Sequence, residues 1–198
     1  MTVFLPVNPE AAEAEPRYVG FGGEMRSSKG GPSLLLNWPG DRWALDVQTP
    51  PMLYGSLGRV WVSRLVQGKT DTVAMRFPQP GYDVGLPGSP VVDGAGQSGQ
   101  TLDVRGLSPL YLVHEGQFFS IIVGGQRYLY NSAADVVSSE TGTAALIIRP
   151  MIRKIPPDGA VVELAQPIIE GHLQGREQGW TLEAAKTTGL RFSIMERA

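Results

Sequence analysis

Hydrophobic residues recur along this chain mostly at every second position, the period of half-buried strands. Residues 33–38 (SLLLNW) form an apolar run stopped by the turn pair Pro39-Gly40. Trp43, Leu45 and Val47 then alternate with Ala44, Asp46 and Gln48. Residues 72–77 repeat the pattern, with Val73, Met75 and Phe77 on one face. Between these strands the period becomes helical, and the spacing predicts a helix over 51–67. Thr49 is placed to cap it, Pro50 and Pro51 suit a first turn, and Gly68 closes it. Leu53, Leu57, Val60, Trp61 and Leu65 make up its core face, with Arg59, Ser63 and Gln67 elsewhere on its surface.

The pattern changes after Phe77. Residues 78–90 (PQPGYDVGLPGSP) read as a linker or extended loop. Short strands follow, predicted at about 91–93, 100–105, 117–123, 126–130, 133–138, 143–149 and 160–164. Gly124-Gly125 joins two of them as a tight hairpin, because glycine alone takes positive φ cheaply at both central positions. Glu140-Thr141-Gly142 and Pro157-Asp158-Gly159 are further turns. Such a series matches a small closed barrel of the OB or SH3-like kind. Trp180 and Leu182 lead into a short helical stretch, LEAAK at 182–186, stopped by Gly189. Leu190, Phe192 and Ile194 then alternate as a last strand. The fold expected is mainly β: an outer domain from 1–88 plus 170–198, with one helix, carrying an inserted barrel at 89–169.

Composition narrows the function classes. The chain has 198 residues, of which 25 are glycine and 16 proline, about twice the usual share of the pair. Cysteine is absent, which removes disulfide frameworks, thiolate zinc sites and cysteine nucleophiles. A net charge of −2 with 18% charged residues argues against nucleic-acid binding, which needs clustered cations. The start, MTVFLPVNPEAAEAEPR, lacks the basic region of a signal peptide, and no apolar run is long enough for a membrane span. Synthesis and folding in cytoplasm without export are expected.

Candidate chemistry is sparse. Gly94-Ala95-Gly96-Gln97-Ser98-Gly99 satisfies G-x-G-x-x-G, but strand-like Thr101-Leu102-Asp103-Val104 follows it where a dinucleotide site needs a helix. It is read as a glycine-rich β-turn. Gly20-Phe21-Gly22-Gly23 and Gly30-Gly31-Pro32-Ser33 match no phosphate loop or nucleophile elbow and read as flexible loops. His114 and His172 lack the partners of a general base and are too few for a metal site. Asp41, Asp46, Asp83 and Asp103 have no context marking a glycosidase pair. Trp43 and Trp61 fall on apolar faces and are assigned to the core. Tyr128 and Tyr130 flank Leu129 and are read as an outward-facing pair for weak glycan contact. No catalytic residue, cofactor or metal is expected.

The run from Trp61 to about Ile194 resembles the distal tail proteins of siphophages, the long non-contractile-tailed phages. The resemblance rests on the helix with Trp61, the strand ending in Phe77-Pro78, and VVDGAGQSGQTLDVRGL at 91–107. It continues through EGQFF at 115–119, the hairpin ending Tyr128-Leu129-Tyr130, and GTAALIIRP at 142–150. Arg153, PDGAVV at 157–162, Gly179-Trp180 and the closing FSIMERA complete it. The resemblance implies a tail-tube-like β-sandwich belt domain carrying an OB-like barrel, with six copies in a ring at the tail tip, or baseplate. The helix face Leu53, Leu57, Val60, Trp61 and Leu65 would serve ring assembly. The implied partners are further copies of the chain, the tail tube protein, the hub or fibre protein and the tape measure protein; the implied location is the virion tail tip. The alternative from the residues themselves is a carbohydrate- or host-surface-binding module built on the barrel.

Overall fold

The computed structural model describes residues 1–36, 38–183 and 187–197. The chain is mainly β, 42% strand and 7% helical. Its first strands are β1 (Thr2–Phe4), β2 (Glu13–Val19), β3 (Gly23–Met25), β4 (Leu34–Leu36), β5 (Arg42–Gln48) and β6 (Met52–Leu53). A π-helical turn, Tyr54–Gly58, runs into α1 (Arg59–Gln67), followed by β7 (Thr72–Arg76). Next come β8 (Gly88–Val92), β9 (Thr101–Leu107), β10 (Leu112–Val113), β11 (Phe118–Val123) and β12 (Gln126–Ser132). The remaining strands are β13 (Val136–Val137), β14 (Ala144–Arg149), β15 (Val162–Glu163), β16 (Ile168–Leu173), β17 (Thr187–Thr188) and β18 (Arg191–Glu196).

Two six-stranded sheets organise these elements. The outer sheet has the order β1-β7-β16-β18-β5-β2, antiparallel except for the parallel β1–β7 pair. Its inward positions Leu45, Val47, Val73, Met75, Ile169, Phe192 and Ile194 form one core with Trp61, Val62 and Leu65 of α1. The second sheet, β15-β11-β12-β14-β9-β8, is antiparallel throughout. Its two edges meet at a Val91–Val161 bridge, with Val92 N donating to Ala160 O at 2.9 Å. The sheet is thereby nearly closed into a barrel, whose own core includes Val104, Phe119, Ile121, Leu146 and Ile148. Gly124 and Gly125 have φ of 61° and 80° at the β11–β12 hairpin, the backbone a two-residue turn requires. The G-x-G-x-x-G segment is the loop between β8 and β9. The Gln97 side chain pins it, donating to Asp93 O (2.7 Å) and accepting from Asp103 N (2.7 Å).

The helix is shorter than the spacing predicts. Met52 and Leu53 pair as strand β6 with Thr188 and Thr187, and α1 starts only at Arg59. The π-helical turn Tyr54–Gly58 precedes it, and the expected first residues are taken up instead by the β6–β17 pairing. Thr49 does not cap a helix: its Oγ1 accepts from Leu190 N at 3.0 Å, and its own N donates to Leu190 O. Of the expected core face, Trp61 and Leu65 are buried, whereas Leu53, Leu57 and Val60 are exposed. Val62 takes the inward place instead. The LEAAK helix lies largely outside the described residues.

The linker is stitched down rather than loose. Gln79 Oε1 accepts from Phe118 N (2.8 Å), Tyr111 Oη donates to Val84 O (2.7 Å), and Ser108 Oγ donates to Leu86 O (2.7 Å). The glycine-rich stretch after β2 forms a separate hairpin. Strands β3 and β4 pair only with each other, in register Gly23–Leu36 to Met25–Leu34.

Candidate functional site

The two sheets join along one strand of the barrel. β12 pairs with β11 along its whole length but with β14 only at Asn131 and Ser132. The free edge at 127–129 would leave amides unpaired, and a buried unpaired amide is costly. Two carboxylates from the outer sheet take them. Arg127 N donates to Glu170 Oε2 at 3.1 Å, and Leu129 N to Glu196 Oε1 at 2.6 Å.

Glu196 is the centre of this junction. Its Oε2 accepts from Trp43 N (3.0 Å), and its Oε1 also accepts from Arg153 Nη2 (2.6 Å). Burial pushes the Glu196 carboxyl above the usual carboxylate range, with Arg153 pulling the other way. Burial works against the Arg153 charge as well, but Glu196 outweighs it and the guanidinium is held above its ordinary value. Arg153 also donates to Leu129 O (3.3 Å) and lies over the Tyr128 and Tyr130 rings, 5.2 and 5.5 Å from their centroids.

The two tyrosines expected to meet a glycan are therefore interior. Tyr128 is 4% exposed and Tyr130 1%, both in the barrel core, while Leu129 between them belongs to the outer core. Alternation implies an exposed face only if one face of the strand meets water. β12 is covered on both.

Beside the junction, edge-to-face aromatics link the units: Tyr18–Trp43 at 5.2 Å and Trp43–Phe118 at 4.9 Å between centroids. Phe118 in turn lies 4.3 Å from Phe77. Next to this row a cleft of about 510 Å³ opens between the units. The outer sheet contributes Tyr18, Asp41 and Trp43 to it; the barrel side contributes Gln100, Glu115, Asn131 and Arg149. Asp41 is committed, accepting from Tyr18 Oη (2.8 Å) and Phe21 N (2.7 Å). Burial and the Asp41 hydrogen bond push the Tyr18 phenol up to about 12, so it stays a neutral donor.

The remaining candidates do not converge. His114 Nδ1 is 3.7 Å from Asp135 Oδ1 with both side chains exposed, and His172 is exposed on β16. Asp46 pairs with Arg17 (2.6 Å), and Asp83 accepts from Gly85 N (2.9 Å). Among the described residues no group of three or more His, Asp or Glu side chains is placed to hold a metal, and no helix is long and apolar enough to cross a membrane. Sequence reasoning gave no site role to Arg153, Glu196 or Glu170, and of the cleft residues it named Asp41 only as an acid without context and Trp43 as core. Glu196 alone carried a signal, since it continues the inward series Phe192, Ile194.

Comparison with known proteins adds no relative. No protein-family model matches the chain, and no curated protein matches it significantly.

Proposed function

We propose that this chain is a structural component of a long non-contractile phage tail, assembling into a ring of copies at the tail tip that joins the tail tube to the hub. The observation that carries this reading is the β3–β4 hairpin. It stands apart from both cores and presents Met25, Leu34, Leu35 and Trp38 to solvent, with Leu35 73% and Trp38 57% exposed. Met25 and Leu34, directly opposite each other, put an apolar pair on one face of this arm and Leu35 lies on the other. Exposed apolar surface of this kind marks an interaction surface, and closed rings use unlike patches meeting around an axis. The sequence resemblance supplies the setting, and β1 and β2, at the two edges of the outer sheet, supply further pairing surface. Tail tube, hub or fibre and tape measure proteins are the partners this reading assigns, and the virion tail tip is its location. The test is mass in solution by light scattering over a concentration series, with negative-stain imaging. A species six times the 21.3 kDa chain, imaged as a ring, is expected. A monomer at every concentration overturns the reading.

A further inference from the structure

We propose that the β3–β4 arm of one copy docks on an aliphatic end of the barrel of a second copy. The inference rests on the ring reading and deepens it by naming the surface that receives the arm. Three stretches of chain build that end of the barrel. Leu112 and Val137 stand directly opposite each other in the β10–β13 pair. Their neighbours Val113 and Val136 pack into the barrel core, so Leu112 and Val137 face outward, and both are exposed. Leu110 precedes β10, and its N donates to Ser139 O beyond β13 at 3.4 Å. It is 65% exposed and, among the described residues, the one non-glycine at positive φ, 56°. A leucine is strained in that left-handed conformation, and strain of this kind collects at functional surfaces. Leu86, 86% exposed, is fastened alongside, its O accepting from Ser108 Oγ (2.7 Å). Four exposed aliphatic side chains at one end of a barrel mark a surface that a partner covers.

Charge selects the occupant. The stretches 82–87, 108–114 and 135–142 carry Asp83, Asp135 and Glu140, all exposed, and contain no lysine or arginine. His114 lies beside Asp135 at 3.7 Å. The surface that fits this end is therefore apolar and basic. The β3–β4 arm is both. It offers Met25, Leu34 and Leu35, and around its turn the exposed Arg26 and Lys29 outnumber Glu24. It pairs with neither large sheet, so its apolar surface is left uncovered within its own chain. Arm and barrel end are different surfaces, so each contact leaves one of each free on the joined pair. That is the head-to-tail geometry from which a ring closes.

Cross-linking of introduced cysteines tests this cleanly, because the chain has none of its own. Full-length Val137→Cys is co-expressed with Leu34→Cys or Leu35→Cys, one for each face of the arm, and treated with a short bismaleimide. Val60→Cys, on the exposed side of α1, serves as the competing apolar surface. A mixed dimer with at least one arm variant is expected, at about ten times the yield of either variant alone. Adding Leu112→Asp or Glu140→Lys to the Val137→Cys chain should lower that yield severalfold with the melting temperature unchanged, and high salt should lower it too. Light scattering on the same samples separates this contact from the ring itself. Assembled protein that gives no mixed dimer overturns the contact and leaves the ring reading standing, whereas a monomer at every concentration overturns both. The contact is also overturned if Val60→Cys is captured in preference to the arm, or if neither added substitution changes the yield.

Discussion

The carboxylate of Glu196 and the guanidinium of Arg153 meet at 2.6 Å, with the two side chains 0% and 4% exposed. One comes from the last strand of the outer sheet, the other from the segment after β14, so the pair joins the units as well as neutralising itself. Removing one partner of such a pair leaves a buried uncompensated charge, which costs about 3–5 kcal/mol. Arg153→Leu is expected to destabilise the chain by that order in urea denaturation. Replacing both residues together by Leu and Met should cost less than the sum of the two single changes.

Gly171 lies on β16 directly opposite Glu196. A Cβ there would sit 2.0 Å from Met195 O and 2.8 Å from Glu196 Cα, both backbone atoms that cannot swing aside. Gly171→Ala should therefore destabilise by at least the roughly 1–3 kcal/mol of an overpacked core. Tryptophan fluorescence during unfolding reads this, since Trp43 N shares the Glu196 carboxylate.

Asp158 ties the turn before β15 to the loop after β8, accepting from Arg105 Nη1 (2.5 Å) and Gly94 N (2.9 Å). Arg105 chiefly, with the Gly94 amide, holds its carboxyl down to about 2. That lies below the unfolded value of about 3.9, so this contribution is fully present above pH 4 and is lost as pH falls through 2. The stability difference between the parent and Asp158→Asn should be constant from pH 7 to 5 and shrink between pH 4 and 2. Chemical denaturation across that range checks it.

Leu35 and Trp38 make no contribution to either core. Leu35→Asp together with Trp38→Glu should leave the melting temperature nearly unchanged, as surface substitutions do. On the ring reading the same change should shift the light-scattering mass toward monomer.

How far the fold was legible depends on whether the deciding interaction was local. The β11–β12 hairpin could be read because Gly124-Gly125 demands one backbone conformation whatever surrounds it. Strand β5 could be read because Trp43, Leu45 and Val47 do turn toward the outer core. The start of the helix was misread because β6 gains a partner, β17, lying more than a hundred residues away, and no window around Leu53 contains it. Tyr128 and Tyr130 misled for a related reason: period two assigns faces, but the solvent on one of them was displaced by the outer sheet. The cleft was invisible altogether. Its walls come from residues 18–43, 100–116 and 131–151, and only the docking of two sheets makes them neighbours.

The outer sheet's strand order sets a schedule. Its central strands, β16 and β18, follow the barrel in the chain, leaving β1–β7 and β2–β5 as two separate pairs until then. All six barrel strands lie within 88–163 and pair only with one another. During synthesis the barrel can thus form first, as contiguous units do. It then presents the bare 127–129 edge of β12 as a template, and Glu170 and Glu196 arrive on the last strands to seal it. A ribosome-stalled chain cut off before Ile168 would carry a folded barrel beside an outer half with no sheet to complete.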